Sequence, residues 1–202
     1  MEAIWEMALK KKLFVIEDAA HAIGTSWEDR KGVWHKVGSC SHSHLTIFSF
    51  HPVKTITTGE GGMILTNDEA LADKCRLLRN HGITRDPSNF ENQPSAISHQ
   101  LVYPPFYYEM QELGYNYSIT DIQCALGLAQ MERLDQFVTR RREIWAHYND
   151  ALEGIEGFHT PVERGYARSA WHLYAAQADE REELLRFLHD NGVGAHVMYI
   201  PV

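Results

Sequence analysis

The stretch Ser49-Phe50-His51-Pro52-Val53-Lys54-Thr55-Ile56-Thr57-Thr58-Gly59-Glu60-Gly61-Gly62 decides how this chain is read, because it sets a lysine in a tight turn between an apolar run and a glycine-rich turn. Residues 45–50, Leu-Thr-Ile-Phe-Ser-Phe, have the length and composition of a buried strand. Ligands of an open α/β sheet gather at the carboxyl ends of its strands, so Lys54 is expected to face a crevice instead of bulk water. A desolvated lysine gives up its proton more readily, and the neutral amine is the form that attacks a carbonyl. Gly59, Gly61 and Gly62 read as turn and close-approach residues; their spacing alone does not make a phosphate cradle.

Upstream, Leu13-Phe14-Val15-Ile16 is a second short apolar run, and it leads into Glu17-Asp18-Ala19-Ala20-His21. Asp18 reads in two ways. It can cap a following helix, or it can stand at the carboxyl end of a parallel strand, beside the lysine of a neighbouring strand. The second arrangement is the one pyridoxal phosphate requires: an acid keeps the pyridine nitrogen protonated so that the ring draws electrons, and a lysine bonds the aldehyde.

Further out, Ile4, Trp5, Ala8 and Leu9 form an apolar stripe on a short helix ending in lysines, which suit a helix carboxyl terminus. A helix feeding a parallel strand normally follows an earlier strand of the same sheet, and residues 195–202 read as a strand without a closing turn. The chain therefore reads as an internal piece of a longer protein. A strand is expected over 63–66, then a helix capped by Asn67-Asp68, with Leu71, Cys75 and Leu78 on one face and a stop at Asn80-His81-Gly82. Residues 83–115 hold four of the seven prolines and the aromatics Tyr103, Phe106, Tyr107 and Tyr108, a cluster expected to dock against a partner subunit or a substrate. Ser118 and Asp121 resemble a capping box opening one long helical stretch to Leu152. A strand over 171–176, a helix over 180–191 closed by Gly192 and a strand over 195–200 complete the pattern. The domain boundary is placed in the long helix, giving a large-domain part at 1–135 and a small carboxyl-terminal part at 136–202.

Composition narrows the partners. A formal charge of −8 offers no excess of positive charge for a nucleic acid, so any phosphate must be met locally. Lys10-Lys11-Lys12 and Arg140-Arg141-Arg142 fall on expected helices and read as solvated faces. The three cysteines, Cys40, Cys75 and Cys124, lie far apart, so neither a disulfide framework nor a zinc knuckle is indicated and a reducing cytoplasm is expected. No stretch approaches the roughly 18 apolar residues that span a bilayer. Twelve histidines raise the question of a metal, with His42, His44 and His35 close in sequence, but no further ligands stand at a recognisable interval and no metal site is expected.

The runs VIEDAAHAIGTSW, SFHPVKTITTGEGGMILTND, LRNHGI and LGYNYSITDIQCALGLAQMERLD occur in that order and resemble the DegT/DnrJ/EryC1/StrS sugar aminotransferases over nearly the whole chain. The resemblance implies an α/β fold of the aspartate aminotransferase-like type I class, with pyridoxal 5'-phosphate as cofactor. It implies that Lys54 bonds the cofactor and moves protons, that Asp18 meets the pyridine nitrogen, and that His21 lies beside the ring. Ser49 would donate to the cofactor phosphate, and Asn116 would reach the phosphate of the neighbouring subunit in a homodimer with shared sites. Members with histidine in place of the lysine are dehydratases, so Lys54 favours amino transfer. Many relatives carry arginine where Ser118 stands, which removes a guanidinium contact here. The wording SFHPVK-TITTGEGG and the segment 107–117 imply glutamate as donor and a UDP-linked 4-keto-6-deoxy-2-acetamido sugar as acceptor, as in nucleotide-sugar biosynthesis of the pseudaminic acid type. Three alternatives stay open: another keto-sugar nucleotide, a lysine-dependent aldolase or dehydratase, and a catalytically incomplete dimerisation fragment.

Overall fold

The computed structural model describes residues 1–91 and 103–199. Helix α1 (Glu2–Lys11) carries Glu2 in its first turn and Lys10 and Lys11 in its last, signs that match the helix dipole. It ends where Lys12 turns left-handed, with φ 52°, and Leu13 N–H returns 2.9 Å to the carbonyl of Ala8. Strand β1 (Ile16–Asp18) follows, so the pairing lies further toward the acid than the apolar run 13–16 suggests. A hairpin of β2 (Ser26–Glu28) and β3 (Trp34–Lys36) leads to β4 (Leu45–Ser49) and β5 (Gly62–Leu65).

The central sheet runs in the order β1-β4-β5. β1 pairs parallel with β4, whereas β5 returns antiparallel across the turn that holds Lys54. With no helix inside that turn, the chain comes back as a wide hairpin instead of a crossover. Thr46 and Phe48 of β4 are buried, while Ile47 between them faces the other way. Ala19, Ile23, Phe48, Phe50 and Ile56 form one buried cluster directly beneath the turn.

Helix α2 (Glu69–Arg79) begins at the expected cap, Asp68, whose carboxylate accepts from Leu71 N–H at 3.0 Å. The expected loop 83–115 contains β6 (Ile83–Thr84), paired antiparallel with β7 (Glu109–Met110). Phe90, Tyr103 and Tyr107 pack on one another with ring centroids 4.7–5.0 Å apart, and Tyr107 Oη donates to Glu109 at 2.8 Å. These rings make a small core of their own, whereas Phe106 and Tyr108 stay exposed.

The expected long helix is two helices, α3 (Asp121–Met131) and α4 (Leu134–Leu152), broken at Glu132-Arg133. The cap of α3 is Thr120, not Ser118: Thr120 and Gln123 form the reciprocal capping box. Beyond α4 come β8 (Phe158–His159), β9 (Ala167–Arg168), β10 (Gln177–Ala178) and α5 (Arg181–Asp190). β9 joins β2 as the third strand of the sheet β3-β2-β9, and β10 pairs with β8. Residues 171–176 and 195–199 are irregular, contrary to the strands expected there; Ile200 lies outside the described residues. Helix α5 matches the expected helix to within a residue at each end.

Candidate active site

Register places the first residues of the site. Asp18 pairs with Ile47, and Ser49 lies two residues further along β4, so both side chains leave the same face of the sheet at the carboxyl ends of adjacent parallel strands. No helix follows β1, since residues 19–25 form turns. Asp18 therefore does not cap a helix; one carboxylate oxygen accepts from Ala20 N–H at 3.1 Å and steers the chain into the turn.

Lys54 follows in a turn pinned at both ends. Phe50 N–H donates to the Gly61 carbonyl at 2.8 Å, Thr58 N–H donates to the Phe50 carbonyl at 3.1 Å, and Lys54 N–H donates to the His51 carbonyl at 2.9 Å. Phe50, Thr55, Ile56 and Thr58 are buried, so the half-buried Lys54 is anchored by neighbours that belong to the core. Gly59 holds φ 82°, the conformation its lack of a Cβ permits. The far side of the turn is braced by α3, where Gln123 Nε2 donates to the Glu60 carbonyl at 2.8 Å.

His21 lies within reach of both Asp18 and Lys54. Burial, then the Lys54 charge, lower the His21 pKa, against the opposing pull of Asp18. A residue not foreseen from the sequence completes the group: the His172 ring lies 4.6 Å from that of His21. Burial, then His21, Arg141 and Lys54, push the His172 pKa down to about 4, so that ring is uncharged near neutrality, and His21 is shifted in the same direction. His172 Nδ1 is buried and meets no hydrogen-bond partner among the described residues.

Long-range pairing explains how His172 arrives. β9 runs antiparallel to β2 with Ser26 opposite Arg168, and Ala170 N–H continues the contact to Thr25 Oγ1 at 3.0 Å. The chain thereby travels back toward His21. Helix α4 fixes it from behind: Arg141 donates to the carbonyls of Trp171 and His172, and Arg142 makes a two-pronged pair with Glu163 at 2.7 and 2.8 Å. Trp145 stacks on Trp171 with centroids 4.7 Å apart. Arg141 and Arg142 are thus structural clamps, not the solvated face their sequence run suggests, while Arg140 pairs with Glu143 at the surface.

Asn116 stands apart from this group. It bridges Asn80 beside the end of α2, where Tyr115 N–H donates to the Leu78 carbonyl at 2.7 Å and Tyr117 N–H to that of Arg79 at 3.0 Å. The strand lies so close that a Cβ on Gly82 would collide with the Glu112 carbonyl, and one on Gly114 with the backbone of Gly82. Asn116 is exposed, and the rings of its sequence neighbours Tyr115 and Tyr117 stack with centroids 4.8 Å apart.

The histidines near the amino terminus separate. His44 Nδ1 accepts from Val15 N–H at 2.9 Å, while His35 pairs with Asp29 at 3.1 Å and packs edge-on against His42. No group of three or more His, Cys, Asp or Glu placed to hold a metal occurs among the described residues. No helix among them is long and apolar enough to cross a membrane.

The DegT/DnrJ/EryC1/StrS aminotransferase family matches residues 1–202. The chain belongs to that family. It is 40% identical over 209 residues to the spore coat polysaccharide biosynthesis protein SpsC of Bacillus subtilis, covering 100% of this chain and 50% of that protein. It is 36% identical over 206 residues to the UDP-4-amino-4,6-dideoxy-N-acetyl-beta-L-altrosamine transaminase of Campylobacter jejuni, covering 100% of this chain and 48% of that one. Among solved structures, Helicobacter pylori PseC, an aminotransferase involved in pseudoaminic acid biosynthesis, superposes with a TM-score of 0.81 at 28% identity, covering 99% of this chain and 49% of PseC. The PLP-form of the sugar aminotransferase Spr1654 of Streptococcus pneumoniae gives 0.75 at 25% identity, covering 94% and 44%. The chain spans about half the length of the relatives it matches, and over that half its fold is that of the pyridoxal-phosphate sugar aminotransferases.

Proposed function

We propose that this chain carries the cofactor-binding half of a pyridoxal-phosphate aminotransferase acting on a nucleotide sugar. The observation that carries the reading is the placement of Asp18 and Ser49 on one face, at the ends of adjacent parallel strands, with Lys54 in the turn that follows. The donor set fits the cofactor: a carboxylate to accept from the pyridine N–H, a hydroxyl to donate to a phosphate, and a primary amine to bond an aldehyde. When bound, pyridoxal phosphate supplies the electron sink for moving an amino group.

The chain's own residues do the rest. Asp18 holds the ring nitrogen protonated, Ser49 orients the phosphate, and Lys54 anchors the aldehyde and then carries a proton on Nζ between donor and acceptor carbons. His21 and His172, both shifted toward the uncharged form, stand beside Lys54. The exposed Asn116 reaches the cofactor phosphate of a second subunit in a homodimer. Residues 1–135 belong to the large domain and 136–202 to the small one. The amino donor is glutamate and the acceptor the C4 keto group of a UDP-linked 4-keto-6-deoxy-2-acetamido sugar, a cytoplasmic step of nucleotide-sugar biosynthesis. The SFHPVK-TITTGEGG and GYNY wording and the likeness to the altrosamine transaminase support this acceptor.

The test is chemical. Chain mixed with pyridoxal phosphate, reduced with borohydride and mapped by mass spectrometry should carry the label on Lys54, and Lys54→Ala should lose both label and visible absorption band. A label on Lys74 refutes the assignment. Glutamate-dependent amination of the UDP-sugar, followed by product mass in the full-length protein, tests the acceptor; activity on a different keto-sugar nucleotide alone replaces it.

A further inference from the structure

Two facts about His172 call for a cause. Its ring stands against His21 at 4.6 Å although neither ring nitrogen bonds to the other residue, and its Nδ1 is buried with no partner among the described residues. An imidazole that finds no bond of its own there is held by its backbone. The segment 171–176 has no strand partner to do this, since its residues are irregular. The Trp171 backbone is also in the left-handed region, at φ 47°, a conformation that a bulky residue keeps only when its surroundings impose it.

Two things hold it: Ser169 Oγ, which accepts from Trp171 N–H at 3.1 Å, and one face of α4. Arg141 Nη1 donates to the Trp171 carbonyl at 3.4 Å and to the His172 carbonyl at 2.9 Å. Four residues on, one helical turn away, Trp145 stacks on Trp171, and a further turn along, Asn149 accepts from Tyr174 Oη at 2.8 Å. Of these contacts, only those of Arg141 reach the backbone of His172.

We propose that Arg141 is a positioning residue of the Lys54 site: its guanidinium, by holding the carbonyls of Trp171 and His172, sets the His172 ring against His21 beside the lysine turn. This rests on the aminotransferase reading for its purpose, and on the geometry of this chain for its existence. The ionisable groups facing the pair of rings are Asp18 and Lys54 on the sheet side and Arg141 on the α4 side. Arg141 bonds the carbonyls of Trp171 and His172 and acts through His172.

The experiment reads the rings directly, in the chain without cofactor. Histidine ring resonances are assigned by His21→Gln and His172→Gln, and the nuclear Overhauser contact between the two rings is measured in wild type, Arg141→Gln and Arg140→Gln. Wild type and Arg140→Gln should show the contact; Arg141→Gln should lose it, with the His172 titration midpoint rising by about one pH unit or more toward the ordinary histidine range. Persistence of the contact in Arg141→Gln overturns the proposal, as does its absence from wild type or its equal loss in Arg140→Gln. If Arg141→Gln does not fold, Arg141→Lys takes its place, because an ammonium lacks the fork to hold both carbonyls, and an undiminished contact there is equally decisive. A failure to label Lys54 with pyridoxal phosphate refutes the function and leaves this contact standing.

Discussion

Around Lys54 the chain closes on itself, with Ala19, Ile23, Phe48, Phe50 and Ile56 packed into one buried cluster, whereas α2, α3, α4 and α5 contain no fully buried residue. Helix α3 leaves Ile122 84% and Leu128 71% exposed. Between α3 and the sheet face that carries Phe48, Met63 and Leu65 lies an open apolar groove of about 800 Å3. That face is opposite to the one bearing Asp18 and Ser49. The floor of the site is therefore supported by packing that the chain supplies itself, with Leu134 and Phe137 of α4 laid against it, while the later helices are otherwise tied down by caps, arginine clamps and stacked rings. Packing is lost when a side chain is truncated; clamps are lost when charge or donors change.

The comparison breaks most visibly at Ile56, which is 1% exposed. Ile56→Ala should destabilise the chain by about 2–5 kcal/mol, measured by urea unfolding, because a cavity opens beneath the lysine turn. A change below half a kcal/mol would show that the floor is not a packed core.

Glu163→Gln should cost less, about 1–2 kcal/mol, since it leaves the Arg142 guanidinium without its two-pronged partner while its bond to the Ser169 carbonyl survives. Arg142 beside it holds the Glu163 carboxyl below the usual range. This contribution is present above that range and lost as pH falls through the lowered value, so the variant should differ least from wild type in acid.

An effect confined to mildly acidic pH sharpens the link between the two regions. The His172 pKa is lowered from 6.5 to about 4 in the folded chain. In that window the unfolded state binds more protons than the folded one, so stability rises with pH and falls as pH drops from 6.5 toward 4. His172→Gln should flatten that part of a melting-temperature profile. An unchanged profile would mean that the ring is not held in the site.

Smallest of all, Arg76→Ala on α2 removes a pair in which both side chains are more than 60% exposed, 64% and 67%. It should shift stability by less than about 0.5 kcal/mol by the same urea measurement.

The legible parts of the sequence were those whose cause is local. Asp68 capping α2, the lysine turn after an apolar strand, and Asp18 near a strand end all follow from neighbouring residues. Capping was legible in kind but not in place: Ser118-x-x-Asp121 and Thr120-x-x-Gln123 both fit the pattern, and the helix starts where Gln123 can answer the Thr120 backbone. The run Trp171-His172-Leu173-Tyr174 reads as a strand, yet the carbonyls of Trp171 and His172 are taken by Arg141 and no ladder forms there. His172 was invisible because a two-residue strand pair brings it across, with Ala170 bonded to Thr25, 145 positions away. Nothing in local spacing carries that information.

The close crossing of Gly82 and Gly114 sets a rule for recombination. Each glycine occupies space that the other's backbone, or that of Glu112, would deny to any side chain. Segments 78–82 and 112–117 thus form one inheritance block, although 29 residues separate them. A chimaera that takes both from one parent keeps Asn116 where it stands. One that crosses over between them succeeds only when both parents bring glycine to both positions, and when β6 and β7 still pair.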